Sequence, residues 1–213
     1  AKLGLALGEI GDPRIKNPLK PTMVKIPADK FQMGTSAEDE KLLKEQKVTV
    51  YDDEKPAHQV YLSEYAIAKY PVTNLEFRTF YETKAYEKET LWSKQGWLWR
   101  TGRFDSDLSW IEDKNTRKNY ERWLENRPVE RRNQPYFWGD PKWDAPNLPV
   151  VGVSWFEAEA YSKWLSAETG LNYALPTEAQ WERAARGPKN LLWSWGNTWD
   201  EKKCNNTEPE NSL

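Results

Sequence analysis

The sequence predicts an α+β fold, and three observations carry that prediction. Thr73/Glu76, Ser154/Glu157 and Thr177/Gln180 each pair a hydroxyl residue with Glu or Gln three positions on, the reciprocal pattern that fixes a helix start. The stretches 23–33 and 58–68 hold short strand-like runs interrupted by turn residues. Thirteen Trp and ten Tyr supply much of the apolar mass. Each large ring buries roughly 150–250 Å², so a core is available to a chain with short strands, two or three helices and much irregular structure.

Residues 1–20 read as an arm. Leu3, Leu5, Leu7 and Ile10 fit the end of a short helix, which Gly11-Asp12-Pro13-Arg14 then breaks. Two readings stand for it: the tail of an upstream helical region, or a strap folded over the domain. Met23–Ile26 and Lys30–Met33 read as a hairpin across Pro27-Ala28-Asp29. Residues 35–53 are charged and poor in apolar side chains, which predicts an exposed loop. His58 to Ala68 reads as a second strand pair about Ser63-Glu64, and Thr73 then opens a helix to about Lys84.

Residues 87–147 form a Trp-rich insertion in which Trp92, Trp97, Trp99, Trp110, Trp123, Trp138 and Trp143 stand among many charges and few aliphatics. Such rings either anchor irregular backbone in a satellite core or present a stacking surface to sugars or to a partner. Val150-Val151-Gly152-Val153 then reads as a buried strand. The helix capped by Ser154 carries Ala158, Tyr161, Trp164 and Leu165 on one face and stops at Gly170. The helix capped by Thr177 follows, with Trp181, Ala184 and Ala185 on its apolar face and Gly187 at its end. Both helices are expected to form one rigid unit, with Trp164 and Trp181 buried.

Charge and composition exclude several functions. The net charge is −2 with the two signs interspersed, which argues against a nucleic-acid footprint. No apolar run approaches the ~20 residues of a membrane span. Cys204 is the single cysteine, so no internal disulfide forms, and a reducing, cytoplasmic setting is expected. His58 is the single histidine, which leaves no His-paired nucleophile and no multi-His metal site. A Gly-rich phosphate loop and a GxSxG elbow are both missing.

Four landmarks carry a family resemblance. They are Met23-Val24-Lys25-Ile26-Pro27 with Phe31-Gln32-Met33-Gly34; Glu54-Lys55-Pro56-Ala57-His58; Tyr70-Pro71-Val72-Thr73-Asn74; and the long stretch from Leu148 to Gly187. In this order they resemble the formylglycine-generating (sulfatase-modifying factor) family, bacterial type, over residues 21–213, with the C-terminal part of the family domain missing. The resemblance implies a C-type-lectin-like α+β fold.

That resemblance also implies what the chain can do. The family enzyme is a copper-dependent oxidase that holds Cu(I) with two cysteines late in the domain and converts a substrate cysteine to formylglycine. One thiolate cannot replace a pair, so no catalytic residues and no copper are expected in this chain. A non-catalytic module recognising a protein, a small molecule or a glycan is the first expectation, within a larger bacterial protein. The alternative is a fragment of the oxidase. Within the insertion, Trp97 and Trp99 beside Arg100 and Arg103 are the expected ligand-binding cluster, since ring faces attract cations and partners. Asn205 and Asn206 resemble a structural calcium position, or else a polar turn.

Overall fold

The computed structural model describes residues 2–103 and 111–204. The chain divides into two compact units, one of Ala1–Thr22 with Ala68–Leu175, the other of Met23–Ile67 with Pro176–Leu213. The boundary at Leu175/Pro176 separates the two capped helices expected to form one unit. Each organises its own unit instead.

The first unit begins with helix α1 (Lys2–Ile10) and continues after the second unit's strands into α3 (Asn74–Glu82), α4 (Lys94–Arg100), α5 (Lys114–Asn126) and α6 (Trp155–Thr169). The capping boxes at Thr73 and Ser154 form as the sequence dictates, and α6 stops at Gly170, whose φ of 70° is the left-handed cap a β-carbon would oppose. Phe77 and Phe80 of α3 pack on Tyr161, Trp164 and Leu165 of α6. Phe77 stacks on Tyr161 with centroids 5.5 Å apart, and Phe80 meets Trp164 edge-on at 5.5 Å. Trp92 and Trp99 join this same core, with Trp97 and Trp138 packed against it. The insertion thus contributes to one aromatic core rather than forming a separate one.

Val150–Val153 is not the expected strand. Thr73 and Pro149 form an isolated bridge, with the Val150 amide donating to the Val72 carbonyl and the Asn74 amide to the Leu148 carbonyl, both at 2.9 Å, but Val151–Val153 join no ladder. Gly152 turns the backbone at φ 74°, where a β-carbon would lie 2.8 Å from that of Tyr136. Its carbonyl is spent on the Tyr136 amide (2.9 Å) and Arg127 Nη1 (3.2 Å).

The second unit contains β1 (Met23–Ile26), β2 (Asp29–Met33), α2 (Ala37–Glu45), β3 (His58–Leu62), β4 (Tyr65–Ala68) and α7 (Glu178–Arg186). The strands lie where the sequence puts them, but their pairing differs. Neither predicted hairpin pairs with itself: β1 pairs with β4, and β2 pairs antiparallel with β3 from Asp29↔Leu62 to Met33↔His58. Pro27 explains the break between β1 and β2, because it has no N–H for a ladder. The segment expected as a loop over 35–53 holds α2, whose N-cap Ser36 accepts from the Asp39 amide at 3.0 Å. Three acids in its first turn, a Glu40–Lys44 pair at 2.8 Å and buried Leu43 offset its polarity.

Helix α7 packs on β2 and β3. Its buried residue is Arg183, not Trp181, which is 62% exposed. Polar anchors hold this helix: the Gly34 amide donates to Glu182 Oε1 at 2.8 Å, and Tyr65 donates to the Gln180 carbonyl at 2.6 Å. Ladder and α7 are tied by groups that a hydrophobic pattern does not register.

Candidate functional site

The residues expected to bind a ligand are not gathered into a binding surface. Trp99 is 2% exposed. It stacks on Trp92 at 6.4 Å, with the guanidinium groups of Arg127 and Arg132 over its ring at 5.0 and 5.5 Å. Trp97 is half-buried against the core. Arg100 is half-buried too, and desolvation lowers its pKa, opposed by the nearby Tyr86 and Glu157. Arg103 is exposed, and its Nε donates to Thr101 Oγ1 at 3.0 Å. The cations that meet Trp99 come from later in the chain, and they do so inside the fold. Few aliphatics accompany these rings, so the rings themselves are the core.

Beneath them lies a buried polar centre. Glu157 is fully buried. Its Oε1 accepts from Arg127 Nη2 at 2.5 Å and from the Tyr86 hydroxyl at 2.6 Å, while Oε2 accepts from the Ser154 amide at 2.7 Å. Burial, reinforced by the Glu157 charge, pushes the Tyr86 hydroxyl well above the usual phenol range, so it remains a donor. Sequence reasoning assigned Glu157 a capping role only. The Arg that completes the centre is thirty residues distant in the chain, and no local pattern pairs them.

An open groove of about 1030 Å³ lies in the second unit. Its aromatic lining comes from Tyr51, Trp181, Trp193 and Trp195. Tyr51 is 65% exposed and Trp181 62%. Trp193 and Trp195 stack with centroids 6.0 Å apart and planes 11° off parallel, and Trp199 closes edge-on against Trp193 at 4.7 Å. The Trp193 indole N–H is buried with no hydrogen-bond partner among the described residues. Four acids, Asp53, Glu54, Glu178 and Glu182, line the groove against two bases, Lys55 and Arg186.

Both bases are already committed. Arg186 bonds the Gly34 carbonyl at 2.8 Å, Glu182 at 3.2 Å and Asp39 at 3.0 Å. Lys55 pairs with Asp52 at 3.2 Å and Glu40 at 3.4 Å. His58 is exposed and its Nδ1 meets the Pro56 carbonyl at 3.0 Å; a carbonyl only accepts, so Nδ1 carries the proton. The bond is local, two residues back in the chain. The groove therefore combines ring faces with excess negative charge. In the sequence Trp193, Trp195 and Trp199 lie close together, but nothing in it brings Tyr51 or Trp181 to them.

Among the described residues no group of three or more His, Cys, Asp or Glu is placed to hold a metal ion. Cys204, the chain's single thiol, is half-buried. Cu(I) in a two-thiolate site does not fit one thiol. Asn205 and Asn206, the expected calcium position, lie outside the described residues. Among the described residues no helix is long and apolar enough to cross a membrane.

Comparison with known proteins places the sequence. Residues 12–211 match the family described as "Sulfatase-modifying factor enzyme 1-like domain". The inactive C-alpha-formylglycine-generating enzyme 2 of Bos taurus is 34% identical over 192 residues, covering 86% of this chain and 55% of its own. The formylglycine-generating enzyme of Thermomonospora curvata is 32% identical over 176 residues, covering 82% of this chain and 52% of its own. The structure of PvdO from Pseudomonas aeruginosa superposes with a TM-score of 0.49 at 24% identity, over 86% of this chain and 53% of that one. The chain spans about half the length of the curated relatives it matches.

Proposed function

The chain belongs to the sulfatase-modifying factor enzyme 1-like family, and from that premise we propose that it is a non-catalytic recognition module whose ligand surface is the aromatic groove of the second unit. The observation that carries this reading is the exposure of Trp181 and Tyr51 in a groove that the exposed acids Asp53 and Glu178 also line. Solvent-exposed rings of this size gain most from a partner, and ring faces beside acids attract guanidinium and ammonium groups. The ligand class is a cationic peptide segment. An anion would meet the wrong potential, and a neutral sugar would gain nothing from the excess negative charge as a cation does.

Trp181→Ala is expected to weaken binding of a hexa-arginine peptide by about tenfold, the loss of one good cation–π contact, with the unfolding midpoint unchanged. Tryptophan fluorescence reads the titration, with hexa-glutamate as the control. Unaltered affinity in Trp181→Ala, or equal binding of hexa-glutamate, would sink the proposal.

The relative from Thermomonospora curvata, a formylglycine-generating enzyme, favours a second reading, a fragment of an oxidase that makes formylglycine. The given chain has one thiol where a two-thiolate Cu(I) site takes two, so on this reading it does not hold the copper by itself. Incubation of the protein with Cu(I), oxygen and a cysteine-containing sulfatase peptide is expected to yield no aldehyde. Formylglycine detected by mass spectrometry would decide for the oxidase.

A further inference from the structure

We propose that the first unit carries a separate ligand site, a cavity walled by the N-terminal segment that takes a small zwitterion of the free amino-acid class. The cavity has a volume of about 200 Å³, with rigid walls from Pro21, Pro71, Pro149 and the Tyr70 ring. At the ~30 Å³ share of a liquid water, that is space for a ligand of a few heavy atoms.

Its charges select the ligand. Asp12 and Arg14 both line the cavity, but they satisfy each other. Arg14 Nε reaches Asp12 Oδ1 at 2.9 Å and Nη2 reaches Oδ2 at 2.5 Å, and Asn147 Nδ2 adds a bond to Oδ2 at 3.0 Å. The bonds from Arg14 and then Asn147 hold the Asp12 carboxyl well below the usual range. Two lining charges remain, Glu76 and Lys20. Neither forms an ion pair among the described residues. Glu76 is 8% exposed, and both of its bonds to Thr73, from the amide at 2.8 Å and from Oγ1 at 2.7 Å, fall on Oε2. Oε1 accepts no hydrogen bond from a described residue, and Glu76 lines the cavity. Lys20 is exposed.

A buried carboxylate and an exposed ammonium lining one small cavity match a ligand that enters with its own ammonium inward and its carboxylate outward. A simple amine would leave Lys20 unanswered, and a simple acid would face Glu76. The wall is itself held in place by this chain. Asn147 Nδ2 also bonds the Gly4 carbonyl at 2.8 Å, and Asn147 Oδ1 lies 2.3 Å from where a β-carbon on Gly8 would stand. Only glycine lets α1 approach Asn147 so closely.

The test is an NMR titration of the whole chain with γ-aminobutyrate and glycine, with ethylamine and acetate as single-charge controls. Saturable shifts at the Thr73–Glu76 amides are expected, with a Kd of about 1 mM for so small a ligand. Glu76→Gln should weaken the zwitterions by about tenfold or more, as loss of a charge-assisted bond does. Its capping box survives, because Gln180 serves the same role, accepting from the Thr177 amide at 2.9 Å. Lys20→Met should weaken the zwitterions and leave ethylamine unchanged. Absence of saturable zwitterion binding, an unchanged Kd in Glu76→Gln, or ethylamine binding as tightly as the zwitterions would overturn the proposal. None of these outcomes bears on the groove, whose lining shares no residue with the cavity.

Discussion

Replacing Arg127 by Met is expected to destabilise the first unit by roughly 3–5 kcal/mol, because it strands a buried carboxylate without its cation. Glu157 is fully buried, and Arg127 at 3% exposure supplies its only ion pair among the described residues. The same guanidinium bonds the carbonyls of Gln134 at 2.7 Å and Gly152 at 3.2 Å, and lies over the Trp99 ring. Its loss therefore loosens α6, α4 and the segment leading into Val150 together. Urea unfolding followed by tryptophan fluorescence measures the effect. Adding Glu157→Gln to Arg127→Met removes the stranded charge while its amide oxygen still accepts from the Ser154 amide and its NH2 can donate to the Tyr86 hydroxyl, and should recover much of the loss. Additive losses in the double variant would show that packing, not charge, accounts for the destabilisation.

The helix starts of this protein are legible because a capping box is a local device. Thr73, Ser154 and Thr177 each bond the amide three residues on, as their sequence spacing requires. The strand positions are legible for the same reason, but their partners are not. Pairing depends on Pro27 breaking the run between β1 and β2, and on which strand then meets β2 across Leu62. Helix α2 escapes a hydrophobicity reading because its support is a Ser36 cap and charges, with Leu43 as its one buried residue.

Trp99 and Trp181 were legible as large rings, yet their environments come out opposite to expectation. Trp99 is sequestered by two arginines brought from residues 127 and 132, and Trp181 is left outside because Glu182, Arg183 and Arg186 anchor α7 in its place. A period-3.6 apolar stripe predicts which face is inward only when apolar contacts hold the helix. The groove and the cavity are both assembled from segments far apart in sequence. Their chemistry is visible in the residue types, and their existence only in the fold.

Trp164→Ala is expected to cost roughly 3–5 kcal/mol, the range for deleting a large buried ring when its surroundings collapse only in part. The ring is 1% exposed and sits between Phe80 at 5.5 Å and Tyr161 at 5.6 Å. Those neighbours are themselves stacked or edge-packed on Phe77, so they cannot move into the void without giving up their own contacts. Trp181→Ala is the matched control: the same residue change on the next helix of the chain, in the second unit and at 62% exposure, should alter stability by no more than about 0.5 kcal/mol. Chemical denaturation of the two variants against wild type gives the comparison directly. A Trp164→Ala curve that overlays the wild type would mean that the α3–α6 rings do not form the core of the first unit. A large loss in Trp181→Ala would mean that the groove ring is structural, and the recognition surface would lose its exposed anchor.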